Sequence, residues 1–431
     1  MDLPPGPRLP RAVQTLGWMT RPGPFMERCR ARYGATFTVR IAHEGTWVFV
    51  CDPADVKTVF TGDPRLLHAG EANIVLRPVV GPRSVLLLDE ARHMTQRKLL
   101  LPPLHGERMT RYGDVMREVA EREIASWPAG EPLRTWPHMQ RITLEVVLRT
   151  VFGVDQGERL ERLRALLGRM LDWTTRPAQM LALAALGPRG VERNRILRGA
   201  LDPVDAALAG EIAFRRADPA LAERDDVLSL LLRARHEDGA PMTDDELRDE
   251  LMTLLVAGHE TTATSLAWAV ERVLRHPDVL ERLRAEVEAG EDAYVDAVVK
   301  ETLRLRPVLP IVVRKLTAPM ELGGRTLPAG VSVAPCIYLV HRRADVYPEP
   351  DRFRPERFLE QPAGTYTWIP FGGGVRRCLG ASFALFEMNV VLGALVRSAR
   401  LRPSRPERER AARRAITLTP ERGAEVVREA V

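Results

Sequence analysis

The pattern of apolar and polar positions divides the chain into segments of different kinds. Near its start, apolar and polar residues alternate in TFTVRI and again in TWVFV, on either side of the turn AHEG, and this alternation predicts two β-strands. The next stretch, DPADVKTVF, predicts a short helix capped by an aspartate. We therefore expect a small sheet within about residues 30–60.

Between about residues 89 and 306 the apolar positions recur with helical spacing almost throughout. Proline and glycine in LPPL, WPAG, FG and RPAQ mark the ends of individual helices. The longest predicted helix begins at Thr243, because TDDE places a capping threonine three residues before a glutamate, and it runs to His276. A helix of that length spans about 50 Å, so it must pass through the core.

After about residue 307 the pattern changes again. MELGGRTLPAGVSVAP and AITLTPERGAEVV predict β-hairpins, and the proline-rich VYPEPDRFRPERF lies between them. No repeat, low-complexity linker or charge block divides the chain. We therefore predict one mainly α domain with small sheets over residues 1–431, in which the parts at about 30–60 and 307–431 pack on a helical core at 89–306.

Composition and charge narrow the class of protein. The 431 residues are 45% hydrophobic, which suffices for a large core. The net charge of +6 comes from arginines that alternate with glutamates, as in ERLERLR, so it predicts a solvated helical surface and no nucleic-acid-binding face. No segment has the apolar length of a signal peptide or membrane span. The four cysteines are too scattered for a disulfide framework. These features predict a cytoplasmic protein without a membrane anchor.

The sequence GHETT interrupts the longest predicted helix. It places a glycine, Glu260 and two β-branched threonines between the apolar segments LMTLLVA and ATSLAWAV. A carboxylate is costly to bury without a partner, and the alternative is that Glu260 lies on a half-exposed face. Because both flanking segments are apolar almost all round, we favour a buried functional site, in which the glycine opens the helix into a groove for a small ligand and water.

FGGGVRRCLG is a glycine-rich loop that runs into an apolar helix. The glycines let the backbone approach a flat partner, and the helix N-terminus together with Arg376 and Arg377 favours a thiolate at Cys378. This is the environment of a thiolate metal ligand. A small buried apolar cysteine is the alternative, and it is the state we expect for Cys51 and Cys336. No GK[ST] follows, which excludes a phosphate-binding loop.

A possible ion network precedes this loop. Glu301 and Arg304 lie three apart on one helical face, and PERF supplies Arg357, so the three can form a buried network that stiffens the path to the cysteine. The same spacing recurs elsewhere, for example at Glu161 and Arg164. Spacing alone therefore does not identify the network.

An earlier segment, DEARHMTQRKLL, places His93 and Arg97 four apart. Both then lie on one face of a helix, where they can hold a carboxylate or phosphate together. An ordinary exposed helix face is the alternative.

Four of these motifs resemble, in the same order, the landmarks of the cytochrome P450 monooxygenases. FGGGVRRCLG matches the FxxGxRxCxG haem-thiolate signature, and AGHETT, ETLR and PERF precede it within about 120 residues. The similarity extends from RYGATFTVRI to ITLTPERG. It implies the P450 fold, a triangular prism of about a dozen helices around a buried haem.

The resemblance assigns roles to individual residues. Cys378 would be the axial thiolate ligand of haem b, the metal ligand of the site, and Glu260 and Thr261 would be the acid–alcohol pair that relays solvent protons to dioxygen. The implied structural triad, needed for haem incorporation, is Glu301, Arg304 and Arg357. The implied haem propionate contacts are His93, which replaces the tryptophan of many members, Arg97, Arg314 and Arg376. The other implied haem contacts are Ala257, Gly258, Phe371, Gly372 and Gly380.

The implied activity is that of a haem-thiolate monooxygenase, which uses O2 to hydroxylate or epoxidise a small molecule. Because the chain contains no flavin or ferredoxin domain, electrons would come from a ferredoxin and its reductase, which would dock near Arg376 and Arg377. We expect a monomer. A peroxide-using member or a non-catalytic haem sensor or carrier are the alternatives, and the intact Glu260–Thr261 pair argues against both.

The positions that match the family's substrate pocket are all apolar. They predict a hydrophobic substrate such as a terpenoid, a steroid or a fatty acyl chain, unless His259 or Arg77 also faces the pocket. The pocket positions are Ile74, Val85, Ala257, Val308, Ile311 and Ile416.

Overall fold

The structure is a computed structural model that describes residues 3–104, 106, 108–154, 157–175 and 194–430. Within these ranges helices predominate, and twelve of them have nine residues or more, in agreement with the predicted dozen. The helices are α1 (Arg11–Thr20), α2 (Pro22–Tyr33), α3 (Pro53–Thr61), α4 (Ala69–Ala72), α5 (Arg77–Val80), α6 (Glu90–Leu100), α7 (Arg108–Ala125), α8 (Thr135–Val151), α9 (Glu158–Thr175), α10 (Arg195–Arg216), α11 (Val227–Arg233), α12 (Asp244–Leu274), α13 (Pro277–Ala289), α14 (Ala293–Leu305), α15 (Ile337–Val340), α16 (Arg357–Glu360) and α17 (Ala381–Ser398).

The strands form four small sheets in the described ranges. They are β1 (Thr36–Ile41), β2 (Gly45–Val50), β3 (Leu67–His68), β4 (Pro132–Arg134), β5 (Arg314–Leu316), β6 (Met320–Leu322), β7 (Arg325–Leu327), β8 (Ser332–Pro335), β9 (Leu401–Pro403), β10 (Ala411–Arg414), β11 (Thr417–Pro420) and β12 (Glu425–Arg428). Short 3₁₀ turns are Ile74–Leu76, Pro102–Leu104 and Gly374–Arg376.

The predicted early sheet is present. β1 and β2 pair antiparallel, and β2 continues in parallel with β8, so the order of this sheet is β1-β2-β8-β5-β3. The Asp52 side chain caps α3 by accepting from the amide of Ala54 at 2.9 Å. Two helices, α1 and α2, precede the sheet and were not predicted, because the segment is rich in proline. Proline is compatible with the first turn of a helix, where Pro22 lies in α2.

The long predicted helix is α12, whose 31 residues span about 46 Å. Its start shows the predicted capping box, in which Thr243 and Glu246 bond to each other's backbone amides. The half that carries Leu251 and Leu255 packs in one core with α8 to α11, and the half that carries Leu266 packs in a second core with α7, α13, α14 and α17. The GHETT motif therefore lies where these two cores meet.

The C-terminal part differs from the predicted pattern in one pairing. β6 and β7 form the first predicted hairpin. The second prediction was wrong, because β11 pairs with β10, whereas β12 pairs with β4 and β9. The sequence AARR of β10 has no apolar alternation that would have identified it as a strand.

One helix corrects the statement that no segment is apolar enough to span a membrane. α17 meets that criterion by length and composition. Its side chains Met388, Val391 and Leu392 are buried in the core that contains Leu266. Packing against several helices gives such a core helix the composition of a span.

Candidate active site

The cysteine loop is folded closely against α3. Gly372 and Gly374 have φ angles of +67° and +64°, which favour glycine. A Cβ at Gly373 would lie 2.2 Å from the ring of Phe60, and one at Gly374 would lie 1.9 Å from the Phe60 carbonyl oxygen. The glycines are therefore needed for contact with α3, a reason that the sequence alone did not reveal.

Cys378 lies at the end of this loop. Its amide donates to the carbonyl of Phe371 at 3.0 Å, and Arg97 Nη1 donates to the carbonyl of Arg377 at 2.8 Å. The side chain reaches the protein surface, but the surrounding protein desolvates the sulfur and raises the pKa of the thiol, while the Gly380 amide, Arg97 and Arg377 lower it. The predicted positive environment is present, and a bound metal ion would add to it in keeping the sulfur deprotonated.

The other three cysteines are buried, as predicted for Cys51 and Cys336. Burial raises the pKa of Cys29 and of Cys51 to about 11, and it also raises the pKa of Cys336. These thiols stay protonated near neutral pH. Cys378 is therefore the cysteine that is accessible to a ligand.

Four basic residues that the resemblance assigned to haem contact, His93, Arg97, Arg314 and Arg376, lie near one another; we call them the basic cluster. Burial, followed by the charges of the three arginines, lowers the pKa of His93 to about 3. Burial and the charge of Arg376 lower the pKa of Arg314 to about 10. Asp89 is the carboxylate that opposes these effects on Arg314 and Arg376. The cluster thus carries an excess of buried positive charge.

Asp89 was missed by sequence reasoning. It forms an ion pair with Arg376 and accepts from the amide of Gly70 at 2.8 Å. Arg376 also donates to the carbonyls of Val85 and Leu88. The position of Asp89 before the helix in DEARH predicts a helix cap, yet its side chain makes no capping hydrogen bond. Its partners come from segments distant in sequence, so no local signal identified it.

The centre of α12 stays helical, so the predicted opening of the helix is not observed. The Thr261 hydroxyl donates to the carbonyl of Ala257 at 2.6 Å, four residues earlier, which is the usual way for a threonine to bond within a helix. Ala257 is exposed, and Gly258 and Thr261 are partly exposed, although most neighbouring residues of α12 are buried. This face of the helix is therefore accessible to a ligand.

The other residues of the motif turn toward α8. Gln140 Nε2 donates to Glu260 Oε2 at 2.9 Å, and Glu260 is partly buried, between the two predicted alternatives. The ring of His259 is 2% exposed and lies 2.9 Å from the hydroxyl of Thr143. His259 therefore contacts α8 rather than a ligand on the accessible face of α12.

The predicted ion network is present. Glu301 and Arg304 are both 0% exposed, with two contacts of 2.6 and 2.8 Å, and Arg357 Nε lies 3.2 Å from Glu301. The amide of Arg354 also donates to Glu301 at 2.8 Å. The remaining Arg304 donors bond to the carbonyls of His341, Pro350 and Arg352. A buried ionic network satisfied in this way is rigid.

His341 connects this network to the cysteine loop and was not predicted. Its Nδ1 donates to the carbonyl of Arg304 at 3.1 Å, and its Nε2 accepts from the amide of Ile369 at 2.9 Å, two residues before Phe371. Burial lowers the pKa of His341 well below its ordinary value, so the ring is neutral. A lone histidine in YLVHRR carries no sequence signal for this role.

Neutral buried histidines predict a loss of stability in acid. Burial lowers the pKa of His259 to about 4, whereas an unfolded histidine titrates near pH 6.5. As the pH falls below about 6.5, the unfolded state binds a proton that the folded state does not, and the free energy of unfolding falls until the folded-state pKa is reached. Between pH 7 and pH 5 we expect a loss of roughly 2 kcal/mol per such histidine. Urea unfolding measures it, and an unchanged pH slope in His259→Gln would contradict this account.

Two of the predicted pocket residues are buried next to segments that contact α12. The amide of Val85 donates to Glu250 of α12 at 2.8 Å. The carbonyl of Val308 accepts from the amide of Leu418 in β11 at 2.7 Å, and the carbonyl of Leu418 accepts from Trp268 of α12 at 2.9 Å. Both segments are thus fixed to the central helix.

The other pocket positions are less enclosed. Ile311 is partly buried and packs against the core of the N-terminal sheet. Ile74 and Ile416 are 40% and 43% exposed. Ala257 is exposed on α12. The six positions are therefore not brought into one enclosed group by the described contacts.

The sequence of the chain matches the model of a known protein family. The family model described as Cytochrome P450 matches residues 4–426. The chain belongs to the cytochrome P450 family. This assignment agrees with the motifs from which the resemblance was drawn.

Individual P450 proteins are similar over the same length. A Mycobacterium tuberculosis protein described as "Putative cytochrome P450 135B1" is 45% identical over 99% of this chain and 91% of its own length. Another from that species, "Putative cytochrome P450 137", is 41% identical over 93% of this chain and 84% of its own. The structure of retinoic acid-bound cyanobacterial CYP120A1 is 23% identical, covers both chains fully and has a TM-score of 0.84, which supports the fold.

Membership in the family fixes the class of reaction. This cytochrome P450 is an oxidoreductase of the monooxygenase class, with a thiolate-ligated haem, O2, a small-molecule substrate and redox partners. Its residues fit that cofactor. The basic cluster offers a buried excess of positive charge for two haem propionates, and Cys378 and the Ala257 face of α12 are both accessible. The thiol of Cys378 and the side chains of the basic cluster are thus the groups that fit a thiolate-ligated haem.

Proposed function

We propose that this cytochrome P450 hydroxylates or epoxidises a hydrophobic small molecule of the terpenoid, steroid or fatty acyl class. One observation carries the proposal. His259 and Glu260, the two titratable side chains of the central motif, bond to Thr143 and Gln140 of α8. The accessible face of α12 therefore presents Ala257 and a threonine whose hydroxyl is already bonded, and such a face suits an apolar substrate.

Each residue of the site would have its own role in holding the cofactor. Bound haem b supplies the centre that accepts electrons and activates O2. Cys378 holds the iron, and the basic cluster binds the two propionates.

Phe371, Gly372 and Gly380 shape the loop beside the sulfur, and Ala257 and Gly258 let the cofactor approach α12. Glu301, Arg304 and Arg357 keep the cysteine loop in one conformation. We propose that the whole of residues 1–431 forms one domain for this purpose.

Glu260 and Thr261 would deliver protons. Glu260 is partly buried, so its carboxyl can exchange a proton with solvent and pass it inward. The Thr261 oxygen donates its own hydrogen to Ala257 and keeps a lone pair with which to accept another. The pair can thus hold a proton near the substrate face without exposing that face to bulk water.

Electrons would come from a ferredoxin and its reductase. Arg377 is exposed, and Arg97 lies beside it, bonded to its carbonyl. A basic surface next to the cysteine loop suits an acidic ferredoxin. We propose that the protein acts as a cytoplasmic monomer that meets such a ferredoxin at this surface.

The Thr261→Ala variant tests the proton relay. We expect this variant to bind haem normally and to consume electrons. Most of these electrons should reduce O2 to hydrogen peroxide and form no hydroxylated or epoxidised product. Product per electron should fall by at least about tenfold, because positioned proton transfer contributes roughly 10²–10⁴-fold. Thr261→Ser, which keeps the hydroxyl, should recover most of the product. Full coupling of electrons to product in the alanine variant would count against the relay.

The substrate class is tested by titrating the purified holoenzyme with lauric acid, progesterone and limonene. A low- to high-spin shift of the haem spectrum reports binding, and ¹⁸O from ¹⁸O2 in the product, with ferredoxin, reductase and NADPH present, reports turnover. Turnover with hydrogen peroxide but not with the ferredoxin system would favour the peroxide-using alternative. Haem reduction without product from any of the three would favour a sensor or carrier.

A further inference from the structure

The side chain of Glu260 is held by a helix that lies outside the sequence motif. α8 packs along α12, and two polar residues of α8, Gln140 and Thr143, lie three positions apart and so on one face. Gln140 Nε2 donates to Glu260 Oε2 at 2.9 Å. Both side chains are partly buried, which shields the bond from bulk water and strengthens it.

Thr143 fixes the residue that precedes Glu260. Its Oγ1 lies 2.9 Å from Nδ1 of His259 and 3.1 Å from the His259 carbonyl oxygen. If Thr143 donates to the carbonyl, the neutral ring carries its hydrogen on Nδ1 and donates it to Oγ1. One residue of α8 thus anchors the backbone before Glu260, and another anchors its carboxylate.

Thr261 points in another direction. Its hydroxyl donates to the carbonyl of Ala257 within α12, and adjacent residues of a helix are rotated by about 100° from each other. The described contact that orients the Glu260 carboxylate therefore comes from α8 and not from the neighbouring threonine.

We infer that Gln140 is a positioning residue for the acid of the acid–alcohol pair, holding the Glu260 carboxylate in the orientation from which it passes protons inward. This inference rests on the proposed relay. A hydrogen bond donated to a carboxylate is stronger than one donated to the neutral acid, so Gln140 also favours the ionised form of Glu260. It is not a catalytic residue, since it acts through Glu260.

Any hydrogen bond donated to the Glu260 carboxylate favours its ionised form, so a titration of Glu260 shows whether Gln140 controls the proton affinity of this group. This measurement needs neither substrate nor turnover. The amount of product formed per electron then separates a positioning bond from one that only joins α8 to α12.

The experiment compares two substitutions of Gln140 in the holoenzyme. Gln140→Met keeps the length of the side chain and removes the donor, whereas Gln140→Glu keeps the shape and adds a second carboxylate. Infrared difference spectra across pH 5 to 9 follow the carboxyl band that is lost in Glu260→Gln. We expect the titration midpoint of Glu260 to rise by about one pH unit in Gln140→Met, as a lost hydrogen bond to a charged group implies. The exposed Gln361→Met is the matched control and should leave the midpoint unchanged.

The second readout is electron coupling, which is the amount of product formed per electron consumed. It is measured with whichever of lauric acid, progesterone and limonene is turned over. In Gln140→Met the product formed per electron should fall several-fold at all pH values, because the electrons are diverted to hydrogen peroxide. Gln140→Glu should recover coupling as the pH falls, because its protonated form can donate again. A purely structural contact would not produce this recovery.

The outcomes separate the inference from the function on which it rests. If Glu260→Gln leaves coupling unchanged, the proposed relay itself fails. If Glu260→Gln uncouples the enzyme but Gln140→Met changes neither the midpoint nor the coupling, the relay stands and the role of Gln140 is overturned. If none of the three probes is turned over, the titration still applies: a raised midpoint in Gln140→Met supports the contact on which the role of Gln140 depends, and an unchanged midpoint overturns that role.

Discussion

Replacing Cys378 with alanine is expected to abolish the Soret band that marks a thiolate-ligated, reduced carbon monoxide complex, and with it all monooxygenase turnover. No other cysteine can substitute, because Cys29, Cys51 and Cys336 are buried, and burial keeps their thiols protonated. The reduced carbon monoxide difference spectrum of freshly purified protein measures the effect.

The control for this experiment is Cys51→Ala. Cys51 is fully buried in the core of the N-terminal sheet, so its loss costs some packing but should leave the thiolate spectrum intact. If Cys378→Ala retained the thiolate band, the assignment of the ligand would be overturned. If both variants lost it, general unfolding would be responsible, and the stability of each would have to be compared by urea unfolding.

The second large effect is expected for Glu301→Gln, which should give poorly folded protein with little haem. Glu301 and Arg304 are fully buried, with closest atoms 2.6 Å apart. Removing the carboxylate charge leaves the Arg304 guanidinium buried without its ionic partner, which typically costs 3–5 kcal/mol. The haem-to-protein ratio of the purified protein and its urea unfolding midpoint measure the loss.

The chain offers a matched control for this substitution. Glu161 and Arg164 have the same spacing and the same closest distance of 2.6 Å, but their side chains are 65% and 30% exposed. Glu161→Gln should therefore cost no more than about 1 kcal/mol and leave haem loading unchanged. Equal effects of the two substitutions would mean that burial does not distinguish them, and the proposed role of the triad would fail.

Short-range patterns in the sequence predicted the local elements well. The strands β1 and β2, the aspartate cap of α3 and the capping box of α12 all depend on residues within a few positions of one another, and all are present. The P450 landmarks are also local motifs, and the family they indicated is the family that the comparison found. Local sequence suffices here because periodicity and caps act over one or two turns.

The tertiary structure decided which of several equivalent patterns matter. The spacing of Glu301 and Arg304 is identical to that of Glu161 and Arg164, and the difference lies in burial and in the additional partners that the fold brings to the first pair. The pairing of β11 with β10 was likewise decided by packing, since β10 lacks a strand-like pattern.

The sequence by itself determined the family and predicted the thiolate loop and the acid–alcohol motif. The tertiary structure supplied the partners of those residues: Asp89 for Arg376, His341 for Arg304 and Gln140 for Glu260. Those partners are 37 to 287 residues away in sequence. A hydrogen bond forms wherever folding brings a donor and an acceptor together, and no periodicity in the chain records that encounter.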